Sequence, residues 1–550
     1  MKCLCLFLIF KVTFAALYSF HEELFESGQF ANKQQDPSLH LSSSTEDLKL
    51  LFEAEKNLVS TLESNFSLFI HEAKFSYLDL VDFELTQNSL DYVKHPINAF
   101  HMLQRLDKYL PKLSTLMPSL KFNFSLTNQD CAQGIADLQE FHGLNPLDLI
   151  NGQIKANGQI FEANSKLTSD DALKIAKAAR NSEYYQGYVE WCKAILKVEK
   201  SEKFQIAYEN AKRIHDDNYM KINVKQKWNN APKVKIHPYN SLASTQKQEE
   251  LFEISNKFLN SRFDDLFSEK IDKHQDILLR FDVFLRSRIQ KLCNGKYDRD
   301  AKLEKDLRCF WLHQNNPYLK LAPFKLEVQH HKPEIAIIHD FASSNELKIV
   351  KEAAKGHMKS TPYVTGGKED AYSKLRTSKV MYMNEKLAPE ISSLSQKIEQ
   401  ATRYKMKSEI YASENFQVMN YGMGGRISGH LDSQGYVNGL LNSEDIFFGG
   451  FRVTTFMVYL SSVEAGGHTV FPQAGISVKP EEGKALFWFN AGSDGGIDSR
   501  IYHLGCPVLY GNKWIANKWV KILAQYKNYP CFIKDKYFSV MTKNQTSVIN

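Results

Sequence analysis

The sequence predicts a multidomain α+β protein, with helices in its first half and a double-stranded β-helix (jelly roll) near its C-terminus. In residues 43–196, apolar side chains recur at steps of three and four, the period of an amphipathic helix. From about residue 364 onward, short apolar runs alternate with glycine-bearing turns, which is typical of a jelly roll. A chain of 550 residues is also too long for one hydrophobic core, so we expect about three or four domains.

The start of the chain has the features of a cleaved secretory signal peptide, which we assign to residues 1–18. Lys2 precedes the apolar run 3–10, and small residues follow around Ala16. An amphipathic N-terminal helix is the alternative. No later stretch reaches about 18 uninterrupted apolar residues, so no membrane span is expected. The net charge of +6 is spread along the chain without a block of lysine and arginine, so nucleic-acid binding is not expected either.

Potential glycosylation sites and cysteines fit passage through a secretory compartment. Asn65, Asn123 and Asn544 each begin an Asn-x-Ser/Thr sequon. In an oxidising lumen, close-spaced cysteines are expected to form disulfides, although spacing alone does not give their connectivity. Cys131 and Cys192 lie in helical stretches and are predicted to be buried thiols.

Residues 19–115 predict a helical N-terminal region. Leu48, Leu51 and Phe52 begin a helical apolar pattern that continues to about residue 112, and Pro96 divides it into two helices. An ordinary helical hairpin and a dimerising helix pair would both produce this pattern.

Residues 120–224 predict a second helical region. A helix over 128–142 ends at Gly143, and Thr168, with an acidic residue three positions on, forms a capping box that opens the next helix. An aromatic helix follows after a short break. The order helix, turn, helix is typical of a tetratricopeptide repeat, whose stacked helix pairs present a concave surface. Three tyrosines would either line that surface or pack in the core: Tyr184, Tyr185 and Tyr188.

The rest of the chain divides into a linker with a helical segment at 225–330, a strand-rich domain at 331–528 and a C-terminal tail at 529–550. Residues 335–339 predict a strand, and Ser343 begins a capping box for a helix that runs to about residue 354.

The strand-rich domain contains a candidate metal site. His430 and Asp432 are two residues apart, so in an extended segment their side chains point to the same side. His503 follows 71 positions after Asp432. Two imidazoles and one carboxylate are the ligands of a mononuclear non-haem Fe(II) centre, in which open positions remain for substrates. A His-x-Asp pair alone is a weak signal, since a single histidine is usually an ordinary surface or core residue.

Lys513 is predicted to lie near this site. Residues 503–514 have the pattern of strand, turn and strand, so His503 and Lys513 are predicted on paired antiparallel strands that face one cavity. A buried ammonium group beside a metal needs an anion, and a dicarboxylate cosubstrate would supply one. Lys518, five residues later, is predicted to lie on the opposite strand face in a structural role.

Four motifs resemble, in order, those of the collagen prolyl 4-hydroxylase alpha subunits, which are 2-oxoglutarate-dependent dioxygenases. They are Asn-Tyr-Gly-Met-Gly-Gly at 420–425, His430-x-Asp432, Glu-Ala-Gly-Gly-His-Thr-Val-Phe-Pro at 464–472, and Asn-Lys-Trp-Ile-Ala-Asn-Lys-Trp at 512–519. The resemblance implies a procollagen-proline 4-dioxygenase. Such an enzyme hydroxylates peptidyl proline at C4 in collagen-like X-Pro-Gly sequences and decarboxylates 2-oxoglutarate to succinate and CO2. Fe(II), 2-oxoglutarate, O2 and L-ascorbate are the implied cofactors and cosubstrates.

The resemblance also implies roles for individual residues. His430, Asp432 and His503 would hold Fe(II), and Lys513 would pair with the distal carboxylate of 2-oxoglutarate. Because a lysine is a point charge, a nearby hydroxyl could share that task, and the candidates are Tyr421 and Thr469.

Three further features lie near the predicted site. His468 is expected not to be a ligand. Arg376 would lie either near the peptide or in an ordinary salt bridge. Residues 433–450 would form either a loop that closes over substrate or a surface hairpin loop.

Outside the strand-rich domain, the resemblance implies a dimerising region at 19–115 and a peptide-substrate-binding domain at 120–224. In the latter, aromatic rings would hold a proline-rich polyproline II chain. The resemblance favours the disulfides Cys293–Cys309 and Cys506–Cys531. It also implies the endoplasmic reticulum lumen, with protein disulfide-isomerase as the beta subunit of an α2β2 assembly. Because the chain closes Ser-Val-Ile-Asn, retention there would depend on such a partner.

One region departs from the family pattern. A second helical pair is expected after residue 200, but 204–224 is highly polar and 225–247 is rich in Lys, Asn, Ser and Pro. A groove with fewer repeats contacts less peptide, so the substrate could be shorter than collagen or different from it. The alternative function is a non-catalytic or substrate-shifted relative that binds proline-rich secreted chains.

Overall fold

The computed structural model describes most of the helical regions and of the strand-rich domain. The described residues are 38–39, 45–66, 89–116, 125–126, 128–224, 288–299, 304–360, 363–365, 368–370, 378–407, 411–433, 449–492, 499–525 and 546–548. Within these ranges, no helix is long and apolar enough to cross a membrane. Several predicted features lie outside them: the signal peptide, residues 225–287, most of the 433–450 loop, most of the C-terminal tail, Arg376, Cys531, Asn123 and Asn544.

The N-terminal helices pack around a helix that begins at Pro96. The elements are α1 (Thr45–Phe66), α2 (Ser89–Val93), α3 (Pro96–Leu116), α4 (Asn128–His142), α5 (Pro146–Ile150) and the parallel two-residue strands β1 (Ser38–Leu39) and β2 (Ser125–Leu126). Pro96 opens α3 as predicted, because proline lacks an N–H that the first turn would leave unpaired. Phe52 stacks on Tyr92 with ring centroids 4.4 Å apart, and Arg105 donates to both carboxylate oxygens of Glu55 at 3.0 and 3.2 Å. These contacts hold α1 against α2 and α3.

After α4 and α5, the second helical region continues with a short hairpin and three successive helices. They are β3 (Gln153–Ala156), β4 (Gln159–Glu162), α6 (Ser169–Asn181), α7 (Tyr185–Val198) and α8 (Glu202–Val224). The predicted capping box opens α6, where the Thr168 side chain accepts from the Asp171 N–H. Cys131 and Cys192 are buried in the helical core, as predicted.

The polar segment 204–224, in which the sequence departs from the family pattern, is part of helix α8. Its 23 residues continue the stack by packing on α7. Among residues 202–217, the buried positions form a narrow stripe along one side of the helix, which fits the polar composition of the rest of its surface. The buried or partly buried members of this stripe are Phe204, Tyr208, Ala211 and His215.

The strand-rich domain contains two main sheets, and its strands extend beyond the predicted bounds of 331–528 at both ends. Its strands are β5 (Cys309–Leu312), β6 (Phe324–His331), β7 (Glu334–His339), β8 (Lys359–Ser360), β9 (Tyr363–Thr365), β10 (Lys368–Asp370), β11 (Lys379–Met383), β12 (Phe416–Tyr421), β13 (Ile427–His430), β14 (Arg452–Tyr459), β15 (Ala465–Gly466), β16 (Thr469–Phe471), β17 (Ile476–Val478), β18 (Ala485–Phe489), β19 (His503–Gly505), β20 (Val508–Tyr510), β21 (Lys513–Lys521) and β22 (Thr546–Val548). Strands β9 with β10, and β15 with β20, form separate two-stranded pairs.

The larger sheet has ten antiparallel strands in the order β22-β5-β6-β7-β18-β14-β21-β12-β11-β8. The smaller sheet has four, in the order β13-β19-β16-β17. Side chains of both sheets share one core, including Phe471 from β16, Trp488 from β18 and Ile515 from β21. This mixture of helices with a large antiparallel sheet agrees with the predicted α+β class and is consistent with a jelly roll.

Helices cover the other face of the larger sheet. They are α10 (Ser344–Ala354) and α11 (Pro389–Thr402). The short helix α9 (Pro317–Leu321) lies between β5 and β6 in the chain, the 3-10 turn Ser499–Ile501 precedes β19, and the 3-10 turn Leu523–Gln525 follows β21. The predicted capping box at Ser343 and Glu346 opens α10. Leu347 of α10 and Leu394 of α11 join a buried cluster with Val418 of the sheet.

The predicted hairpin between His503 and Lys513 does not form. Strand β19 pairs with β13 and β16 in the smaller sheet, whereas β21 lies between β12 and β14 in the larger sheet. The chain crosses from one sheet to the other through β20 and Gly511, which has a positive φ of 105°. Because both edges of β21 already have strand partners, it has no hydrogen-bonding edge left for β19.

The predicted disulfide pairs are wrong. Cys293 is bonded to Cys506, 213 residues away, and Cys309 is a free, exposed cysteine on β5. Cys293 ends a helical segment at 288–293 that packs Leu292 against Leu504 of β19. This packing places Cys293 beside Cys506, so proximity in the fold overrides proximity in sequence.

The helical regions and the strand-rich domain share a continuous hydrophobic core where they meet. Met423, Ala465 and Leu509 of the strand-rich domain are buried in one cluster with residues of α3, α4 and α7. An ion pair between Lys94 and Glu464, 3.1 Å long, crosses the same boundary. We call this boundary the seam.

Candidate active site

The three predicted metal ligands meet between the two sheets. His430 ends β13 and lies directly opposite His503, the first residue of β19, in the antiparallel pair. The Nε2 atoms of His430 and His503 lie 3.4 and 3.8 Å from the two carboxylate oxygens of Asp432. One nitrogen or oxygen atom from each residue falls within 4.8 Å of the others. The fold therefore brings together two nitrogens and one carboxylate in a group that could bind one metal ion.

Backbone carbonyls orient both imidazole rings. His430 Nδ1 lies 2.9 Å from the Ser428 carbonyl oxygen, and His503 Nδ1 lies 2.9 Å from that of Ile501. A carbonyl can only accept, so each Nδ1 carries the proton and each Nε2 presents its lone pair toward Asp432. Burial, with the neighbouring His430 ring, lowers the pKa of His503 to about 4, so that ring is neutral at pH 7.

Asp432 is buried and held as a carboxylate. Burial alone would raise its pKa, but His503, His430 and a hydrogen bond from Thr455 hold the pKa of Asp432 well below its usual range. Thr455 Oγ1 donates to Asp432 Oδ2 at 2.6 Å, and Asn490 Nδ2 donates to Thr455 Oγ1 at 3.0 Å. Sequence reasoning missed Thr455 and Asn490. The sequence feature that could have identified Thr455 is a polar residue at an inward-facing position of a largely apolar strand.

Replacement of Thr455 by valine is expected to weaken metal binding by roughly tenfold, the low end of the effect of groups that orient a metal ligand. Valine keeps the shape of threonine but cannot donate to Asp432. Anaerobic titration with Co(II), followed by absorbance, measures the affinity. Thr454→Val is the matched control, because Thr454 is buried one position away and its hydroxyl has no hydrogen-bond partner within the described structure. Equal affinities in the two variants would contradict the role of Thr455.

Lys513 is buried on β21, 3% exposed, between the same two sheets. Its Nζ lies 3.4 Å from Thr469 Oγ1, which accepts from the Tyr459 hydroxyl at 2.9 Å. The Nζ also lies 5.6 Å from the ring centroid of Tyr421 and 5.9 Å from that of Tyr459. Burial lowers the pKa of Lys513 to about 7. Because no carboxylate of the described residues pairs with it, this ammonium group is suited to an anion from solution.

The two candidate hydroxyl partners of Lys513 differ. Thr469 contacts the ammonium group, whereas Tyr421 presents its ring and places its hydroxyl 3.2 Å from Met419 Sδ. Tyr459 was missed by sequence reasoning and reaches the same place from β14.

Lys518 lies on the other face of β21, as expected from its spacing. It pairs with Glu385 and is fully buried, and its Nζ lies 4.8 Å from the Phe416 ring centroid. Lys518→Met is expected to lower the free energy of unfolding by about 3 kcal/mol, because it breaks a buried ion pair. The Lys518→Met protein should bind 2-oxoglutarate with the affinity of the wild type. Denaturant unfolding and calorimetric titration measure the two quantities, and loss of 2-oxoglutarate binding by the folded variant would contradict the structural role.

Other predicted site residues lie away from the metal group. Tyr184 and Tyr188 are 7% and 3% exposed in the helical core, which favours their packing role, and Tyr185 is half-buried. His468 is buried next to the smaller sheet, where burial lowers its pKa to about 3, and it does not belong to the metal group.

Aromatic rings enclose the metal group. Trp488 meets the His503 ring edge to face at a centroid distance of 4.8 Å, and Phe471 lies 5.5 Å from it. The His430 side chain is 32% exposed, whereas those of Asp432 and His503 are 3% and 7% exposed. The group is therefore closed on the Trp488 side and open beside His430.

Two family models match separate parts of the chain. Residues 416–521 match the 2OG-Fe(II) oxygenase superfamily, and residues 44–156 match the N-terminal region of the prolyl 4-hydroxylase alpha subunit. The first match contains all three residues of the metal group and Lys513. The second covers α1 to α5 and β3.

Similar proteins cover most of the chain. Prolyl 4-hydroxylase subunit alpha-2 of Caenorhabditis elegans is 27% identical over 469 residues, covering 81% of this chain and 84% of that protein. Human subunit alpha-1 is 28% identical over 526 residues, 88% of this chain and 94% of that protein. Human subunit alpha-3 is 38% identical over 225 residues, which cover 41% of this chain and 40% of that protein. The solved 2OG complex of a viral collagen prolyl hydroxylase from Paramecium bursaria Chlorella virus-1 covers 34% of this chain and 95% of that chain, at 23% identity and a TM-score of 0.25.

Proposed function

Because the chain is a divergent relative of the prolyl 4-hydroxylase alpha subunits and contains a 2OG-Fe(II) oxygenase domain, we propose that it hydroxylates peptidyl proline at C4 while 2-oxoglutarate is converted to succinate and CO2. One observation carries the proposal. The His430, Asp432 and His503 group and the buried ammonium group of Lys513 lie between the same two sheets.

The residues present fit Fe(II). Two imidazole Nε2 atoms and one carboxylate converge, and each ligand is oriented from outside by Ser428, Ile501 or Thr455. When bound, the ion together with 2-oxoglutarate and O2 supplies the oxidative chemistry.

The residues also fit a dicarboxylate. Lys513 provides a buried positive charge, and Thr469 provides a hydroxyl that can donate to the same carboxylate. Trp488 and Phe471 exclude water beside His503, which strengthens the electrostatic interactions inside. The peptide would approach on the open side, beside His430.

The wider biological setting is also proposed. We infer a collagen-like X-Pro-Gly substrate, held in part by the tetratricopeptide-like region at 120–224, and a dimerising role for 19–115. The motif resemblance further supports L-ascorbate as reductant, protein disulfide-isomerase as beta subunit in the endoplasmic reticulum lumen, and glycosylation after removal of a signal peptide.

The decisive experiment uses the full chain co-expressed with protein disulfide-isomerase and loaded with iron. Succinate release is measured with a (Pro-Pro-Gly)-type peptide, and mass spectrometry detects 4-hydroxyproline in the same peptide. We expect peptide-dependent turnover by the wild type and none by His430→Ala. A wild-type protein that binds the peptide without hydroxylating it would instead be a non-catalytic binder of proline-rich chains.

A further inference from the structure

We propose that Arg426 is a positioning residue for His430, through which helix α4 of the helical region supports the metal site across the seam. This inference rests on the proposed function of the metal group. It concerns Arg426 and Asp137, which lie outside that group and have no role in the proposed reaction so far.

Arg426 is fixed to α4 by several contacts. Its Nε and Nη2 atoms donate to Asp137 Oδ2 at 3.1 and 3.0 Å, and its guanidinium carbon lies 4.9 Å from the Phe141 ring centroid. The other oxygen of Asp137 accepts from Gln133 at 2.7 Å. The two charged side chains are only 12% and 11% exposed, so this pair is screened less than a surface ion pair.

The same guanidinium group reaches the strand that carries His430. Arg426 Nη1 donates to Ser428 Oγ at 2.9 Å, and the Ser428 carbonyl accepts from His430 Nδ1 at 2.9 Å. Ser428 is thus the connection between the helical region and the imidazole ring. A planar fork with several N–H groups can bind Asp137 and Ser428 at once, which one ammonium group cannot do in the same geometry.

Strand β13 needs such support because its own pairing is weak. It is the edge strand of the smaller sheet, and its four residues are all only partly buried. Its pairing with β19 shifts register between Ile427 and His430. An edge strand with an irregular ladder does not fix a side chain as firmly as a central strand does. His430 is also the most exposed of the three ligands, so surrounding side chains restrain it least.

A second, more exposed ion pair across the seam provides a comparison. Lys94 and Glu464 are 3.1 Å apart and link the same two parts of the chain. Glu464 immediately precedes β15, which pairs with β20 and contains none of the three residues of the metal group. If Arg426 merely attached the helical region, loss of either pair would have the same kind of effect.

The test measures metal affinity in the full chain. Anaerobic Co(II) titrations followed by the visible d–d absorbance compare wild type with Arg426→Gln, Arg426→Lys, Asp137→Asn, Ser428→Ala and the control Lys94→Gln. We expect Arg426→Gln and Asp137→Asn to raise the Co(II) dissociation constant by roughly tenfold and to change the band shape, as loss of a ligand-orienting contact does. Arg426→Lys should also bind Co(II) less tightly than the wild type does, and Ser428→Ala should lose Co(II) affinity by a few-fold. Lys94→Gln should bind Co(II) as tightly as the wild type does.

The outcomes separate this inference from the proposed function. A wild-type protein without Co(II) binding at the His430 group would overturn the metal site and the inference together. Wild-type binding with unchanged affinity in folded Arg426→Gln would overturn the inference alone. If circular dichroism shows that Arg426→Gln is unfolded, Ser428→Ala decides, because it leaves the Asp137 pair intact. Wild-type affinity in Ser428→Ala would then overturn the positioning role.

Discussion

Replacement of Asp432 by asparagine is expected to weaken metal binding by more than about a hundredfold, the upper end of the effect of groups that only orient a ligand. Peptide-dependent succinate formation should become undetectable. Asparagine has nearly the same shape, but it removes the negative charge that offsets the metal's positive charge between two neutral imidazoles. Co(II) titration and succinate release measure the two effects.

The appropriate control is Asp340→Asn. Asp340 is an exposed carboxylate of the same domain, paired with Lys325 at 2.6 Å far from the metal group in sequence. The Asp340→Asn protein should bind metal as tightly as the wild type does. An Asp432→Asn protein that retained wild-type metal affinity would show that Asp432 is not a ligand.

Replacement of Lys513 by methionine is expected to weaken 2-oxoglutarate binding by roughly 30-fold or more, since removing one partner of a buried charge pair typically costs about 2–5 kcal/mol. Metal affinity should change little. The ligand-free variant should also be more stable than the wild type at pH 7, because folding of the wild type must either bury the unpaired charge of Lys513 or remove its proton. Calorimetric titration and thermal unfolding measure the two changes. Lower stability together with unchanged 2-oxoglutarate affinity would contradict this role.

The same lysine predicts two opposite pH dependences. The ligand-free folded protein has a Lys513 pKa of about 7, against 10.5 for an ordinary lysine. Between these values the unfolded chain binds more protons, so the contribution of Lys513 makes wild-type stability rise with pH, and Lys513→Met should lack that rise. Binding of the dicarboxylate requires the charged form. The dissociation constant of 2-oxoglutarate should therefore increase about tenfold per pH unit above pH 7.

Local sequence patterns predicted several features because each is contained in a short segment, whereas the assignment of His503 to the metal group depended on the motif resemblance. His430 and Asp432 share a side by strand geometry, and the capping boxes at Thr168 and Ser343 depend only on residues three positions apart. Lys518 was separated from Lys513 by the alternation of one strand. In each case neighbouring residues of the chain decide the outcome.

Features that depend on distant pairing were not predictable in this way. The partners of β21 are β12 and β14, so the local turn signal at 511–512 suggested a hairpin that the sheet excludes. Cys506 pairs with Cys293 because a helical segment packs on β19, and no spacing rule contains that information. Thr455 and Tyr459 contact the site because β14 lies beside the metal group and Lys513, and their local sequence does not indicate that placement.

The shared core at the seam has a practical consequence for excising a catalytic fragment. A fragment that starts near residue 331, the domain boundary suggested by the sequence, would expose Met423, Ala465 and Leu509 to water. It would also lack the segment at 288–299 that packs on the smaller sheet and supplies Cys293. Apolar surfaces of that kind promote aggregation during recombinant expression. A soluble, well-folded preparation should therefore retain the helices from α1 onward, and biochemical work on this protein is best designed around the intact chain.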